Sequence, residues 1–477
     1  MYLNRNSIIS LIRSAGYVTV RPGFYDLMHD WKLWYRGKVS KFHTYKIHQA
    51  KGQSTCVEMR SLGMAKKVCE DWANLLFNEK TYVTISEQGL QDAFQAALDF
   101  NNFDVLGNES IESAFAEGTG AWVLRQENEG DEPLIDYVHG DMVFPLEWAN
   151  GQIVSCAFGS VMAKKGKMYL YLQAHERKRD KPKDEWYYVV ANRFYEINVR
   201  TGWVIDVPVK FEEVEDEKGY DTATPLFSII RPAIANNVDE NSPMGISIYA
   251  NAIDNLKDCD IAFDGMSISM KTGRPRIAIS EALVKIDANG NPRPVTDEQD
   301  SVIYNIPQEF ASKDSKPLIE DITPAYRAND YATTLEKELI LLSQKVGMGD
   351  MVYKFDGTNA ATATQVISEN SDMFRTMQKH QKVVAAALKN LARGILFLKT
   401  LTVGKEVTVT VQFDDSIIED TNAEKAQMIN EINAGIAAPW EYREAFYGEN
   451  AETAKKNVPP AKTYPTFDFT GAGGGNG

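Results

Sequence analysis

The sequence predicts an α+β protein in which helical and β-rich segments follow one another along the chain. Apolar residues recur every three or four positions through most of the first 115 residues, as in helices that bury one face. Between residues 120 and 230 they alternate with polar residues instead, which predicts antiparallel strands. The third observation is a single long helical pattern over 364–399, in which Gly394 is the first interruption. At about 1.5 Å per residue this helix is roughly 50 Å long, so it needs a large partner to pack against.

The composition is that of a globular protein, with 44% hydrophobic and 25% charged residues among 477. A chain of this length predicts two to four domains. The net charge of -15 disfavours a protein that wraps DNA by neutralising its phosphates. The N-terminus shows no signal-peptide pattern, and no run approaches about 18 apolar residues, so we expect a soluble, intracellular product. The four cysteines lack metal-ligand spacing and predict reduced core residues: Cys56, Cys69, Cys156 and Cys259.

The first half of the chain divides into a helical part and a β-rich part. Residues 1–80 predict helices, among them one over 61–77 that docks Trp72 on a core, and a further helix is predicted over 87–115. The charged run 176–185 mixes both signs around a Pro, which favours a solvated hairpin tip over a nucleic-acid patch. Short strands bounded by turn residues are predicted at 121–125, 142–146, 153–158, 168–172, 186–190 and 193–197.

The second half predicts two helices separated by short strands, then a loop and the long helix. The two helices span 246–270 and 326–346, and a turn lies between them at 287–292. The Gly-rich end from Thr470 is expected to be disordered. The apolar stripe of the long helix consists of Val366, Met373, Met377, Val384, Leu388, Leu391, Ile395 and Leu398. The elements predicted after the long helix are a strand at 407–413 and helices at 417–435 and 439–447.

No motif in the sequence has the spacing of a catalytic, cofactor or metal site. The chain lacks a phosphate-binding G-x-x-x-x-G-K-[ST] loop, a G-x-S-x-G elbow and an H-E-x-x-H pair. Its six histidines never pair at ligand spacing. Asp414 and Asp415 are adjacent after a predicted strand, where such carboxylates usually form a turn or a helix N-cap. We therefore predict no enzyme, no cofactor and no metal. A metal-dependent nuclease using the acidic pairs is the alternative, and DNA cleavage with Mg²⁺ or Mn²⁺ that Asp415→Ala abolishes would identify it.

Six segments, taken in order, carry a resemblance to a known family. They are 31–37 (WKLWYRG), 64–76 (MAKKVCEDWANLL), 114–120 (AFAEGTG), 243–254 (PMGISIYANAID), 355–357 (FDG) and 363–370 (ATQVISEN). In this order, and with the succession of helix, β insert, helix, loop and long helix, the chain resembles the portal proteins of tailed bacteriophages. The nearest type is that of long-tailed phages of Gram-positive hosts. The likeness extends to about Tyr447.

The resemblance implies a ring of twelve copies around a DNA channel. It also implies a portal-protein fold with a β-rich and helical wing, a two-helix stem, a small α/β clip, a tunnel loop with a long helix, and a helical crown. On this chain the regions would be the wing at 1–240, the first stem helix at 241–270, the clip at 271–325, the second stem helix at 326–346, the tunnel loop at 347–363, the long helix and a wing strand at 364–416, the crown at 417–460 and a disordered tail at 461–477.

Three sets of site residues follow from the resemblance. The tunnel loop facing DNA would contain Met351, Val352, Tyr353, Lys354, Phe355, Asp356, Gly357, Thr358 and Asn359. The channel-lining stem residues would be Asp254, Asp258, Asp264, Glu336 and Lys337. The clip residues that dock partners would be Arg276, Lys285, Asp287, Asn289, Asn291 and Arg293.

The residues suit a channel that lets DNA pass. Cations on every subunit would hold the DNA through counterion release, whereas this chain is acidic and its stem helices are rich in Asp. Lys354 is the one cation in the loop sequence, so a ring would make sparse phosphate contacts there. Two simpler hypotheses stay open: the loop is an ordinary helix connector with a surface Lys, and the stem acids form a plain solvated face or pair with a neighbouring subunit.

The resemblance also implies partners and a location. The partners are further copies of the chain, double-stranded DNA passing without sequence specificity during packaging and ejection, the terminase large subunit, a head–tail adaptor, the scaffold and the major capsid protein, with no membrane. The location is the capsid vertex of the virion, after assembly in the host cytoplasm. Another structural head protein is the second alternative, and it predicts no loop joined to a long helix.

Overall fold

The computed structural model describes residues 3–48, 54–126, 128, 130–180, 185–222, 224–273, 276–280, 285–286, 292–293, 302–306, 319–321, 323, 325, 327–349, 353, 363–400, 407–413, 421–447 and 451–458. The chain divides into two units, Met1–Asp414 and Asp415–Gly477. Helices and sheets both build the first unit, so the α+β prediction is confirmed. None of the helices within these ranges is both long and apolar enough to cross a membrane.

The first unit begins with helices and one exposed hairpin. The elements are α1 (Arg5–Ser14), α2 (Pro22–Tyr35), α3 (Ser40–His43), β1 (Thr44–His48), β2 (Ser54–Glu58) and α4 (Met64–Leu76). The prediction of helices alone for residues 1–80 was therefore wrong for the antiparallel β1–β2 pair. Four of the five β2 residues are exposed and the fifth is half-buried, so no buried face imposes the apolar alternation that reveals a strand. Cys56 lies on β2 and is exposed, against the core prediction, whereas the other three cysteines are free and buried.

The single helix predicted over 87–115 is two helices. The elements are β3 (Tyr82–Ile85), α5 (Gln88–Phe100) and α6 (Phe103–Glu117). The helices are separated at Asn102, whose φ of 48° lies in the left-handed region. Asparagine enters that region more readily than most residues, so the chain changes direction here without a Gly or Pro that would mark the break.

The described residues of the β-rich segment form nine strands in two antiparallel sheets. They are β4 (Gly120–Arg125), β5 (Leu134–His139), β6 (Val143–Ala149), β7 (Gln152–Lys164), β8 (Lys167–Asp180), β9 (Glu185–Ile197), β10 (Val204–Val209), β11 (Glu217–Tyr220) and β12 (Phe227–Ile230). The larger sheet has the order β10-β9-β8-β7-β6 with β11 also on β9, and the smaller has the order β12-β4-β5. The strands predicted at 186–190 and 193–197 are one strand, β9. Asp180 pairs with Glu185 in the register of β8 and β9, which confirms a hairpin at the charged run, while its predicted solvated tip, 181–184, lies outside the described residues.

The second half of this unit contains the two predicted helices and the long one. The elements are α7 (Ile253–Thr272), β13 (Arg276–Ser280), β14 (Lys285–Ile286), β15 (Pro292–Arg293), β16 (Val302–Ile306), β17 (Ile319–Asp321), α8 (Ala328–Lys345), α9 (Ala363–Thr400) and β18 (Val409–Gln412). α7 begins later than predicted because the preceding chain packs on α6, where the Ile248 amide donates to the Phe115 carbonyl at 2.9 Å. β13 pairs in parallel with β16 and antiparallel with β17, and the described residues between α7 and α8 contain no helix.

The long helix α9 lies along the core of the first unit and contacts α4, α5, β4, β12 and β18. It has 38 residues, about 57 Å at the ordinary rise. Every residue of the predicted apolar stripe from Met373 onward is buried, whereas the side chain of Val366 lies outside the described residues. Gly394 does not break the helix. A Cβ there would overlap Leu124 Cδ1, so the glycine lets α9 approach β4 closely.

The second unit is helical in its described part. Its elements are α10 (Thr421–Asn433), α11 (Pro439–Tyr447) and α12 (Ala451–Asn457). α11 has the predicted bounds, α10 ends two residues before the predicted 435, and α12 was not predicted. The predicted start of α10, 417–420, lies outside the described residues. The Lys455 ammonium lies 4.4 Å from the centre of the Trp440 ring, a cation–π contact between α12 and α11.

Candidate functional site at the helix pair and the loop

The pair α7 and α8 is joined mainly by apolar burial. Leu256, Cys259 and Ala262 are buried on α7, as are Leu335 and Leu339 on α8. Each fully buried leucine contributes about 1.5–3 kcal/mol relative to an exposed one. The burial also raises the pKa of Cys259 to about 12, so its thiol is protonated and inert at neutral pH.

The predicted channel residues lie on different faces of these helices. Asp254 and Asp258 are both exposed on α7, and the pKa of Asp254 is lowered by a hydrogen bond from the Lys257 ammonium at 2.8 Å. On α8, Lys337 is exposed and Glu336 is half-buried.

Asp264 differs from the other predicted stem residues, because it is only 7% exposed. Its Oδ1 accepts a hydrogen bond from the Arg60 amide at 3.3 Å. Within one subunit, Asp264 therefore faces the segment before α4 and does not share the exposed face of Asp254 and Asp258.

A neighbouring carboxylate, Asp260, holds two parts of the N-terminal segment on α7. It is 3% exposed and accepts hydrogen bonds from the Leu62 amide at 2.6 Å and from His43 Nε2 at 2.9 Å. The Val39 amide donates to His43 Nδ1 at 2.9 Å, so that nitrogen is the acceptor and Nε2 carries the proton given to Asp260. This role was not predicted for Asp260 or His43, because the bonded residues are more than 190 positions apart in the sequence.

The end of α8 is closed by a turn that fixes the start of the loop. The Gly347 amide donates to the Gln344 carbonyl and the Met348 amide to the Ser343 carbonyl, the two bonds of a Schellman motif. Gly347 has a φ of 80°, which a residue without Cβ adopts freely. The Trp72 indole of α4 donates to the Val346 carbonyl at 3.1 Å, so a buried side chain satisfies a carbonyl at the helix end.

Tyr353 provides a second contact between this segment and α4. Its hydroxyl donates to Asp71 Oδ2 at 2.9 Å, and Asp71 Oδ1 accepts from the Lys67 ammonium at 2.5 Å. Burial, followed by the charge of Asp71, raises the pKa of Tyr353 far above its ordinary value, so the hydroxyl keeps its proton. Tyr353 thus contacts its own subunit. The other eight residues predicted for the tunnel loop lie outside the described residues.

His380 is a buried residue of α9 that sequence reasoning did not assign. It lies between the rings of Trp72 and Phe115, with centroid distances of 4.7 and 5.1 Å. Its Nδ1 accepts a hydrogen bond from the Ala233 amide at 2.9 Å. Burial lowers the pKa of His380 to about 4, so the ring is neutral at pH 7 and packs as an apolar group between α4 and α6.

The predicted clip residues are described only in part. Arg276 begins β13, and Lys285 pairs with Arg293 in the antiparallel register of β14 and β15. Asp287, Asn289 and Asn291 lie outside the described residues. Within the part of the chain that the structure describes, no three His, Cys, Asp or Glu residues are grouped so as to hold a metal ion.

Comparison with known proteins gives a family match over most of the chain. The model for "Phage portal protein, SPP1 Gp6-like" matches residues 24–441. No curated protein matches at a significant level. Among solved structures, a chain of the virion of a native gene transfer agent particle is 10% identical with a TM-score of 0.45, over 93% of this chain and 99% of that chain. A chain of the neck of the native particle, computed with C12 symmetry, is 12% identical with a TM-score of 0.42, over 80% of this chain and 88% of that one.

Proposed function

This chain belongs to the SPP1 Gp6-like family of phage portal proteins, and we propose that twelve copies of it close into a ring at one capsid vertex. The family is structural rather than enzymatic. The ring would be the channel through which double-stranded DNA enters during packaging and leaves during ejection. The observation that carries this proposal is the family match across residues 24–441, which includes the helix pair, the loop and most of the chain on either side.

The proposed regions keep the boundaries inferred from the sequence, with α7 and α8 as the stem helices. The wing would comprise 1–240 and the strand after α9, the clip 271–325, the tunnel loop 347–363 and the crown 417–460. Support for the loop comes from its start, which Trp72 and Tyr353 attach to α4. A loop that contacts moving DNA needs such a fixed attachment, because a loop without one would not keep a defined position relative to α7 and α8.

The channel wall would repel DNA along the stem and touch it sparsely at the loop. Asp254 and Asp258 are exposed on α7 and supply the repulsion in this proposal. Lys354 is the one cation in the loop sequence and would meet a phosphate. We exclude Asp264 and Tyr353 from the DNA-contacting set, since each is bound to a distant segment of its own subunit and, unlike Asp254, neither is exposed. Stem carboxylates that repel the phosphates, together with few loop cations that bind them, would let DNA slide through the channel. Few counterions would be displaced or rebound as the DNA advances.

The clip would dock the terminase large subunit during packaging and a head–tail adaptor afterwards. Its candidate residues remain Arg276, Lys285 and Arg293 in the described strands, with Asp287, Asn289 and Asn291 in the sequence between them. Scaffold and major capsid protein would surround the ring when it is assembled in the host cytoplasm, and the finished protein would remain in the virion. The packaging motor's ATP hydrolysis belongs to the terminase in this scheme.

The test is Lys354→Ala in a DNA-packaging assay with assembled heads. We expect rings to form as in the wild type, and the amount of DNA packaged or retained to change, because the one loop cation per subunit is removed. Arg200→Ala is the matched control. It removes one charge from an exposed position in the turn between β9 and β10, outside the proposed channel. Wild-type packaging and retention by Lys354→Ala rings would count against the loop assignment.

A further inference from the structure

One segment of this acidic chain is strongly basic. Residues 32–67 contain nine lysines and arginines and one acid, Glu58, a formal charge of +8 in a chain whose net charge is -15. The segment comprises the end of α2, the turn after it, α3, the β1–β2 hairpin and the start of α4. The average charge of the chain therefore hides a local surface of the opposite sign.

Five cations of this segment are exposed and form no ion pair with any described residue. We call them the basic surface: Arg36, Lys38, Lys41, Lys46 and Arg60. The segment's last two lysines differ, since Lys66 lies 2.5 Å from Glu112 and Lys67 is bound to Asp71. Like charges held together without counterions repel one another, so this arrangement is stabilised by any anionic partner that approaches it.

A groove lies beside two residues of the basic surface, Arg36 and Lys38. It has a volume of about 740 Å³, and its lining includes Arg36, Lys38, Ser40 and Gly63, together with the acid Glu58. Gly63 is the N-cap of α4, which has no capping side chain and no acid in its first turn. The partial positive charge of this helix end therefore adds to that of the cations along the groove.

The basic surface is held in a fixed position on the stem helix. Asp260 of α7 accepts hydrogen bonds from His43 on one side of the hairpin and from the Leu62 amide on the other. The Arg60 amide is bound to Asp264, one helical turn further on. Because the described residues on either side of the hairpin are anchored in this way, their cations bind a partner with little loss of backbone freedom.

The residue types on the basic surface favour a nucleic acid over a protein as the partner. Protein interfaces are enriched in aromatic residues and depleted in lysine at their centre. Three of the five exposed cations are lysines: Lys38, Lys41 and Lys46. Among the described residues between 32 and 67, no large hydrophobic side chain is exposed. Cations without apolar anchors are typical of contacts to phosphates, which supply most of the sequence-independent affinity for DNA.

We propose that the basic surface binds the phosphate backbone of double-stranded DNA without sequence specificity, outside the channel. The choice of duplex DNA as the polyanion rests on the proposed portal function. The surface extends from the turn after α2 through α3 and β1 to the residues after β2, so it is separate in the sequence from the loop around Lys354. A portal subunit would then combine a repelling stem with a DNA-holding surface elsewhere on its wing.

The test uses a covalently closed circular duplex, because a molecule without ends cannot be threaded through a ring. Its equilibrium binding to the purified full-length protein is measured at several salt concentrations, for the wild type and for the combined variant Arg36→Gln, Lys38→Gln, Lys41→Gln. The matched control is Lys164→Gln, Lys167→Gln, Lys210→Gln, which removes the same charge from lysines already paired with Glu213, Glu196 and Asp216. Thermal unfolding and native mass are recorded for each protein.

We expect the basic-surface variant to bind at least about tenfold more weakly at 0.1 M salt. Its log–log salt slope should fall by about 3 per bound subunit, because each phosphate that is no longer neutralised lowers the slope by about 0.9. The control should retain nearly the wild-type slope, and all three proteins should assemble and unfold alike.

Equal binding by the variant and the wild type, or no binding of circular DNA by the wild type, would overturn the proposal. So would a variant that binds DNA normally but no longer assembles, since its cations would then contact a neighbouring copy. Normal binding of circular DNA by a protein that never forms rings would refute the portal assembly and leave the basic surface intact.

Discussion

Two buried histidines, His175 and His380, are kept neutral by the apolar rings around them. His175 is fully buried on β8 beside Phe158 and Phe227, at centroid distances of 5.4 and 5.8 Å, and neither of its ring nitrogens has a hydrogen-bond partner among the described residues. Burial lowers its pKa to about 3, and that of His380 to about 4. Both groups therefore bind protons more readily in the unfolded chain, so they make the folded state less stable as the solution becomes acidic.

His175→Leu should reduce the dependence of stability on pH. The unfolded histidine titrates near 6.5 and the folded one near 3, so its effect is absent above about pH 7 and grows as the pH falls between these values. Between pH 7.5 and pH 5 the buried His175 lowers the free energy of unfolding by about 2 kcal/mol. The variant should lose about that much less stability over this interval, measured by denaturant unfolding at both pH values. An unchanged difference would mean that His175 is not buried as a neutral ring.

Two predicted site residues were reinterpreted by contacts that local sequence does not reveal. Asp264 and Tyr353 were assigned to the channel from their positions in a helix and a loop. The structure gives each a partner in the same subunit, Arg60 and Asp71, more than 200 positions away. A helical pattern states which residues share a face, but it does not state which distant segment covers that face, so these contacts could not be predicted from the sequence.

At the scale of elements, prediction succeeded where burial on one face dictates the pattern. α9 was predicted over 364–399 and spans Ala363–Thr400, because its apolar stripe is fixed by packing against α4, α5 and the smaller sheet. The β1–β2 hairpin was missed, since the β2 residues are exposed apart from one half-buried position and show no apolar alternation. β3 was also missed, and its partner β18 lies more than 300 residues along the chain.

Trp72→Phe tests whether α4 fixes the end of α8 and the start of the loop. The change removes the indole donor from the buried Val346 carbonyl, which leaves that acceptor unpaired and costs about 1–3 kcal/mol. We expect a lower thermal midpoint at matched protein concentration. Trp203→Phe is the control, because Trp203 is 53% exposed and its replacement should change stability by less than about 0.5 kcal/mol. Equal midpoints for the two variants would remove the support for an anchored loop.

At the scale of the whole molecule, the distribution of charge matters more than its sum. The net charge of -15 disfavoured a protein that wraps DNA by neutralising its phosphates. The same sequence contains the +8 segment 32–67, which a count over short windows would have revealed. A repelling channel and a DNA-binding segment are compatible if the exposed acids of the stem face the channel and the basic surface lies outside it. Assembly determines which surfaces of neighbouring subunits face one another. The apolar and charge patterns of one chain's sequence do not specify these contacts directly.

The central claim, a closed ring of this chain, is tested most directly by its mass and symmetry. Native mass spectrometry and negative-stain imaging of the purified protein should give one closed species with a central hole. Twelve copies of a 53.5 kDa chain have a mass of about 640 kDa. A protein that stays monomeric at every concentration, with and without its scaffold, or that forms open filaments, would contradict the account.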